Sequence, residues 1–369
     1  MADLLSHLAQ LTAENRAAVL ATLVATEGAR PRLPGAKLLI GADGATVGSV
    51  TLGGCVEARV AEAVKDVVAS GRARVMRVDL SAEEAFDLGL SCSATLELLV
   101  EPVLPSDSSD ASLLHVAPLL REQVQARKRA ALVVRLEAPH TRLAVLDDGT
   151  TYGTLGTPAL DAAAASQAAA ALARETSTVA VLPVDDARVF IDVFLPPRRL
   201  FVFGAGPVSG PLLRFARELE MHTTLVDAGF DGSDEGAGSD ARPVYAAGRP
   251  TLNADEVRVG SPGRIAVELG IGARDAVVIV AHDYKYEIPV LESVLRGDAD
   301  YIGLLGSRRR GEAVRGLLGE RGVPADALAR VRVPAGLDVG AEAPAEIALA
   351  ILAEIMALRG GRSGIPLGA

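Results

Sequence analysis

The segment Gly48-Ser49-Val50-Thr51-Leu52-Gly53-Gly54-Cys55-Val56-Glu57-Ala58-Arg59-Val60 holds one of only two cysteines in the chain. It follows a strand-like run, turns at Gly53 and Gly54, and opens a helix-like run. A thiol at a helix N-terminus faces backbone N–H groups and the positive end of the helix dipole, which draws its pKa below the ~8.5 of a free thiol. Cys55 is therefore a candidate thiolate that attacks, carries sulfur or ligates a soft metal centre. The alternative is a small buried hydrophobe. Glu57 sits in the same first turn, where an acid is stabilised by the dipole. Cys92, in Gly89-Leu90-Ser91-Cys92-Ser93-Ala94, begins a strand and reads as structural.

A second candidate is Gly204-Ala205-Gly206-Pro207-Val208-Ser209-Gly210, between the apolar strand Leu200-Phe201-Val202-Phe203 and a helical run. Asp227 follows about twenty residues on, at the end of the next strand, as in dinucleotide-binding turns. Gly204 and Gly206 would allow a pyrophosphate to approach, and Asp227 would accept ribose hydroxyls. Ser209 stands at the third glycine position, and Pro207 removes one amide. A Rossmann scaffold without a dinucleotide is the alternative. His282-Asp283 lies just past a further strand, where such folds bind ligands, and reads as a general base with its orienting acid or as a lone histidine. Gly306, Ser307 and Arg308, in Gly303-Leu304-Leu305-Gly306-Ser307-Arg308-Arg309, form an anion cradle or an ordinary capped helix.

These residues need α/β elements to hold them. Arg16-Ala17-Ala18-Val19-Leu20 with Asp43-Gly44-Ala45-Thr46-Val47-Gly48-Ser49-Val50 resembles Arg129-Ala130-Ala131-Leu132-Val133 with Asp148-Gly149-Thr150-Thr151-Tyr152-Gly153-Thr154-Leu155. Each copy runs on to an Ala-rich helix and an alternating strand that ends in Pro. Where the first copy has Gly53-Gly54-Cys55, the second has Gly156-Thr157-Pro158, so the thiol belongs to one half. The organisation expected is an N-terminal α/β domain over 1–197, with halves 1–104 and 111–197, and a Rossmann-like doubly wound parallel sheet over 198–369. The Gly, Ser and acid-rich tract 231–240 reads as a surface loop, and a helix is expected from Pro289 to Arg296.

Of the 369 residues, 49% are apolar and 23% charged, a globular composition. The net charge of −10 and the absence of Trp disfavour nucleic acid and anionic lipid as partners. Two cysteines and five histidines offer no close pair at zinc-ligand spacing. Without a leader or an uncharged 18-residue apolar run, the expectation is a cytoplasmic protein with no membrane span.

Taken in order, GSVTLGGCVE, Leu96-Glu97-Leu98-Leu99-Val100-Glu101-Pro102, the Gly204 turn, Ala281-His282-Asp283, Asp300 to Arg309 and Pro334-Ala335-Gly336-Leu337-Asp338-Val339-Gly340-Ala341-Glu342-Ala343-Pro344 resemble the XdhC/CoxI family. These are accessory factors for molybdenum hydroxylases such as xanthine and carbon monoxide dehydrogenases. The resemblance implies an N-terminal XdhC/CoxI-type domain followed by a Rossmann domain, and a maturation factor that binds molybdenum cofactor (molybdopterin or its dinucleotide form). It also implies delivery of sulfurated cofactor to an apo-hydroxylase, a cysteine desulfurase or cofactor-modifying enzyme as a further partner, and a homodimer. Cys55 would contact the cofactor or its metal with Glu57 beside it, and Gly204, Gly206, Gly306, Ser307 and Arg308 would bind anions. Thr51-Leu52 stands where the family element has one Ser, Cys92-Ser93-Ala94 where C-G-G is common, and Pro207 where many members have His. The rival reading is an NAD(P)-dependent oxidoreductase built on the Gly204 turn and His282. The sequence shows no substrate-side acid/base set for it, which favours a carrier.

Overall fold

Ala18–Gly28 is buried over its first seven residues, so it can only sit in the middle of a sheet covered on both faces. The computed structural model describes residues 2–28, 32–51, 55–80, 94–104, 113–228, 252–281 and 283–366. Cys92, the linker 105–110 and the tract 231–240 lie outside the described residues. The chain divides into two units, Met1–Pro196 and Pro197–Ala369.

The first unit contains one arrangement twice. Helix α1 (Ala2–Ala13) leads into β1 (Ala18–Gly28), β2 (Lys37–Gly41), β3 (Thr46–Gly48), α2 (Cys55–Ser70), β4 (Arg74–Leu80) and β5 (Ala94–Val103). Helix α3 (Leu113–Gln125) leads into β6 (Ala130–Arg135), β7 (Arg142–Leu146), β8 (Thr151–Thr154), α4 (Pro158–Arg174), β9 (Thr178–Val181) and β10 (Arg188–Phe194). The strand orders, β3-β2-β1-β5-β4 and β8-β7-β6-β10-β9, are the same, and all pairings are antiparallel. α2 covers the outer face of the first sheet and α4 that of the second. The inner faces share one core with α1 and α3, including Leu5, Leu20, Leu99, Leu120, Leu132 and Phe190.

The copies are related one residue differently from the alignment of Ala18 with Ala131. Ala18 lies opposite Gly41 and Ala130 opposite Leu146, and each partner stands two residues before an Asp-Gly turn. Ala18 therefore corresponds to Ala130, because hydrogen-bond register constrains a strand more tightly than a run of alanines does. Gly48 and Gly153 confirm the phase. Both have positive φ (80° and 87°), and a Cβ on either would press into the carbonyl of the first residue of the neighbouring strand, Lys37 or Arg142.

Those two first residues carry buried charge. Lys37 of the first half meets Asp192 of the second at 2.5 Å, and Arg142 of the second half meets Glu101 of the first. Asp192 lies opposite Leu132 and Glu101 opposite Leu20, which are equivalent positions. The halves thus exchange a base for an acid reciprocally. All four side chains are at most 7% exposed, and charges this deep persist only when paired.

The second unit is a parallel sheet of order β13-β12-β11-β14-β15-β16, from β11 (Arg199–Phe203), β12 (His222–Asp227), β13 (Glu256–Val259), β14 (Asp275–Ile279), β15 (Tyr301–Leu304) and β16 (Val331–Arg332). The central strands are apolar throughout because helices cover both faces. α5 (Ser209–Glu218) and α10 (Pro344–Arg359) pack on one face, and α6 (Pro262–Glu268), α7 (Tyr284–Val294) and α8 (Arg308–Glu320) on the other. This is the expected α/β class with a Rossmann-like sheet. The helix expected from Pro289 starts five residues earlier: Asp283 caps it by accepting from Lys285 N at 2.9 Å, and Pro289 is accommodated within it. α9 (Ala325–Ala329) is a short connector.

Candidate functional site

In the first unit the loop–helix element opens on Gly48 and enters α2 at Cys55, the first helical residue. Gly53 and Gly54 lie outside the described residues, and Cys55 is described by its backbone. Glu57 reaches back over the loop. One carboxylate oxygen accepts from Ser49 Oγ (2.5 Å), Val50 N (3.2 Å) and Thr51 N (3.2 Å), the other from Thr51 Oγ1 (2.7 Å). Burial alone would raise the carboxyl pKa, but bonds from Ser49 and Thr51 outweigh it and hold Glu57 below the ordinary glutamate range. With its lone pairs spent on the loop, Glu57 positions the turn that leads to Cys55.

Asp161 repeats this in the second half, accepting from Thr154 Oγ1 (2.8 Å) and Leu155 N (2.6 Å). Matching Asp161 to Glu57 sets buried Leu160 against buried Val56. Ala159, and not Pro158, then corresponds to Cys55, and the second loop is one residue shorter. The second half carries no thiol in either alignment.

A lowered carboxylate stabilises the fold at pH above its unfolded value, and that contribution disappears as pH falls through the lowered one. Acid titration of wild type against Glu57→Gln is expected to show wild type the more stable at pH 7, by about 2 kcal/mol for the charge-assisted bonds. The gap should close below the ordinary glutamate range. A gap that does not change with pH would remove the ionised Glu57 from the loop.

In the second unit, the ends of β11, β12 and β14 border a crevice of about 380 Å³ lined by Phe203, Gly204, Asp227, Ile279, Asp283 and Tyr286, among others. Such a place, where strand order reverses, is where open α/β sheets bind ligands. Gly204 and Asp227 meet there. His282 lies outside the described residues, and Asp283 serves as a helix cap. The glycines answer first to packing. A Cβ on Gly204 (φ 104°) would come within 2.8 Å of Ala281 N, and one on Gly206 within 2.9 Å of Val280 Cγ1.

Gly306 and Arg308 line a different cavity, about 550 Å³, together with Pro334 to Ala341. Ser307 caps α8 by accepting from Arg310 N at 3.2 Å. Glu354 holds the facing loop, accepting from Gly336 N (2.8 Å) and from the Tyr301 hydroxyl (2.7 Å). Burial, then the bond to Glu354, push the Tyr301 phenol far above its ordinary value, so it remains a donor. Arg310 is turned away from anion binding: its Nη2 donates to both oxygens of buried Glu287 (2.8 and 2.9 Å), and its guanidinium stacks on Tyr284. The Glu354 and Tyr301 supports are not legible in the sequence, because 53 residues separate them. Among the described residues no group of three or more His, Cys, Asp or Glu is placed to hold a metal ion, and no helix is long and apolar enough to cross a membrane.

The model of the XdhC and CoxI family matches residues 11–79, and that of the XdhC Rossmann domain matches 200–355. The chain thus pairs a region of the XdhC and CoxI family with an XdhC Rossmann domain. Across 95% of both chains, this XdhC-type protein is 26% identical to a probable xanthine dehydrogenase subunit of Bacillus subtilis (strain 168). It is 25% identical to the molybdenum cofactor insertion chaperone PaoD of Escherichia coli (strain K12), over 93% of this chain and 84% of that one. A crystal structure described as a xanthine dehydrogenase from Bacillus halodurans superposes with a TM-score of 0.73 at 26% identity, covering 98% of this chain and 96% of that one.

Proposed function

We propose that this XdhC-type chain binds molybdenum cofactor as cargo and passes it to the apo form of a molybdenum hydroxylase. The observation that carries the reading is the near full-length similarity to a protein named a molybdenum cofactor insertion chaperone. Chemistry on the chain supports it. Cys55 begins a helix of sixteen residues, where backbone N–H groups and the dipole favour a thiolate, and a thiolate suits a soft molybdenum or sulfur centre. Glu57 keeps the loop in place, and Arg308, at the cavity of the second unit, by itself suits a phosphate. Sulfuration of the cargo, and a desulfurase as source of that sulfur, extend the same reading.

The test is to purify the protein with cofactor supplied, measure bound pterin by fluorescence, and then add apo-hydroxylase. Wild type should retain pterin and restore hydroxylase activity. Cys55→Ala is expected to retain about tenfold less, the loss of one good ligand or charge-assisted contact. If Cys55→Ala retains cofactor like wild type, the thiol is not the contact. If instead the protein oxidises NADH or NADPH in the presence of an acceptor, the oxidoreductase reading replaces the carrier.

A further inference from the structure

Helix α10 has the composition of a buried helix but lies in an outer layer of the second unit. Between Glu346 and Arg359 it reads IALAILAEIMAL, with one charged side chain. That one, Glu354, is held by Gly336 N and the Tyr301 hydroxyl. Ala348, Ile351, Leu352 and Ile355 fill the core against the sheet. Another side of the helix is apolar and open: Leu349 is 59% exposed and Met356 37%, with half-buried Ala353 between them. A helix on the surface of a globular unit ordinarily turns charge to water. Its neighbour α5 does so with exposed Arg214, Arg217 and Glu218. An open apolar stripe on α10 marks a surface for another protein.

The ends of the stripe select the partner. Glu342 and Glu346 are exposed at its N-terminal end, and Arg359 and Arg362 at its C-terminal end. Neither arginine side chain has a partner among the described residues. A second α10 laid antiparallel brings each acid end to an arginine end and opposes the two helix dipoles, whereas a parallel copy sets acid on acid. The spacing is self-complementary as well. About a two-fold axis between Leu352 and Ala353, Leu349 and Met356 lie one turn to either side, so Leu349 of each copy faces Met356 of the other.

We propose that the open face of α10 docks on the same face of a second copy of this chain, with the two helices antiparallel. A helix of sixteen residues is about 24 Å long. One such contact covers less than the about 1,200 Å² of the smaller stable interfaces, so the pair forms reversibly, with Kd of about 10–100 μM. The pairing is independent of any cargo.

The experiment is sedimentation equilibrium of the full chain at low ionic strength, from about 1 to 500 μM, a range that brackets this Kd. Wild type should pass from monomer toward dimer across it. Leu349→Glu, at an exposed position and so expected to keep the wild-type unfolding midpoint in dilute solution, should raise Kd at least about tenfold by placing an unpaired carboxylate in the contact. Glu342→Arg and Arg362→Glu should each raise it about threefold, and the two together should return it to within about twofold of wild type, because opposite charges again face each other across the axis. Three results would overturn the proposal: a chain that stays monomeric throughout, a Leu349→Glu protein that associates like wild type, or a charge-swapped double variant no tighter than either single one. Should Leu349→Glu leave association unchanged and instead block activation of the apo-hydroxylase, the face belongs to that enzyme and the self-docking is wrong.

Discussion

Glu101→Ala is expected to destabilise the N-terminal unit by about 3–5 kcal/mol, because it strands the Arg142 guanidinium in the core between the two sheets. Arg142 and Glu101 are 6% and 4% exposed, so water cannot take over the lost partner. Asp192→Ala should behave alike by stranding Lys37, since the two pairs occupy equivalent positions in the two halves. Denaturant unfolding of the full chain, followed by circular dichroism, gives the measurement. The double change Glu101→Leu with Arg142→Met is expected to recover most of the loss, as removal of both charges of a buried pair is often close to neutral. Should Glu101→Ala cost less than about 1 kcal/mol, the value of an exposed pair, the pair is not buried in solution and the shared core is wrong.

The glycines give the second large effect. Gly48, Gly153, Gly44 and Gly149 all have φ between 80° and 87°, so alanine is strained at each by backbone conformation alone, at a cost of about 1–3 kcal/mol. Only Gly48 and Gly153 also press a new Cβ into a neighbouring strand's carbonyl; the space around Gly44 and Gly149 is open. Gly48→Ala and Gly153→Ala are therefore expected to lose about 3 kcal/mol or more, and Gly44→Ala and Gly149→Ala about 1 kcal/mol. Urea midpoints of the four variants would test this. Equal losses at all four would mean that strand contact contributes nothing. A large loss at Gly48 with none at Gly153 would mean that the two halves are not built alike.

Much of the local architecture is legible in the sequence. The strand, Gly204 turn and helix over 200–218 follow from an apolar run, two glycines and a helical pattern within twenty residues, and all of that information is local. The cap at Ser307 is of the same kind, a serine before a helix-compatible run. The start of α7 differs from expectation because Pro289 has the character of a first helical residue. Inside the helix the proline forgoes the bond that an amide at 289 would make to the Lys285 carbonyl, a cost offset by burial of Ile288, Val290 and Leu291 against the sheet, and Asp283 six residues earlier supplies the cap. The Ala18 register differs by one residue, since an alanine run carries little phase information while the hydrogen-bond ladder carries it fully.

The sequence by itself determined the fold class, the family and the segment that bears the thiol. These are properties of short stretches, in which spacing and side-chain type decide the backbone. The tertiary structure decided what each polar side chain does with its charge. Glu57 reads as an acid beside a cysteine, but its oxygens are consumed by Ser49, Val50 and Thr51. Ser209 reads as a lapsed glycine, but its buried hydroxyl takes up the Gly206 amide. Lys37 and Arg142 carry no signal in the sequence, but each crosses to the acid of the other half. The reason is the same in all three cases: a desolvated polar group must find a partner, and which partner lies within reach depends on how sheets and loops pack.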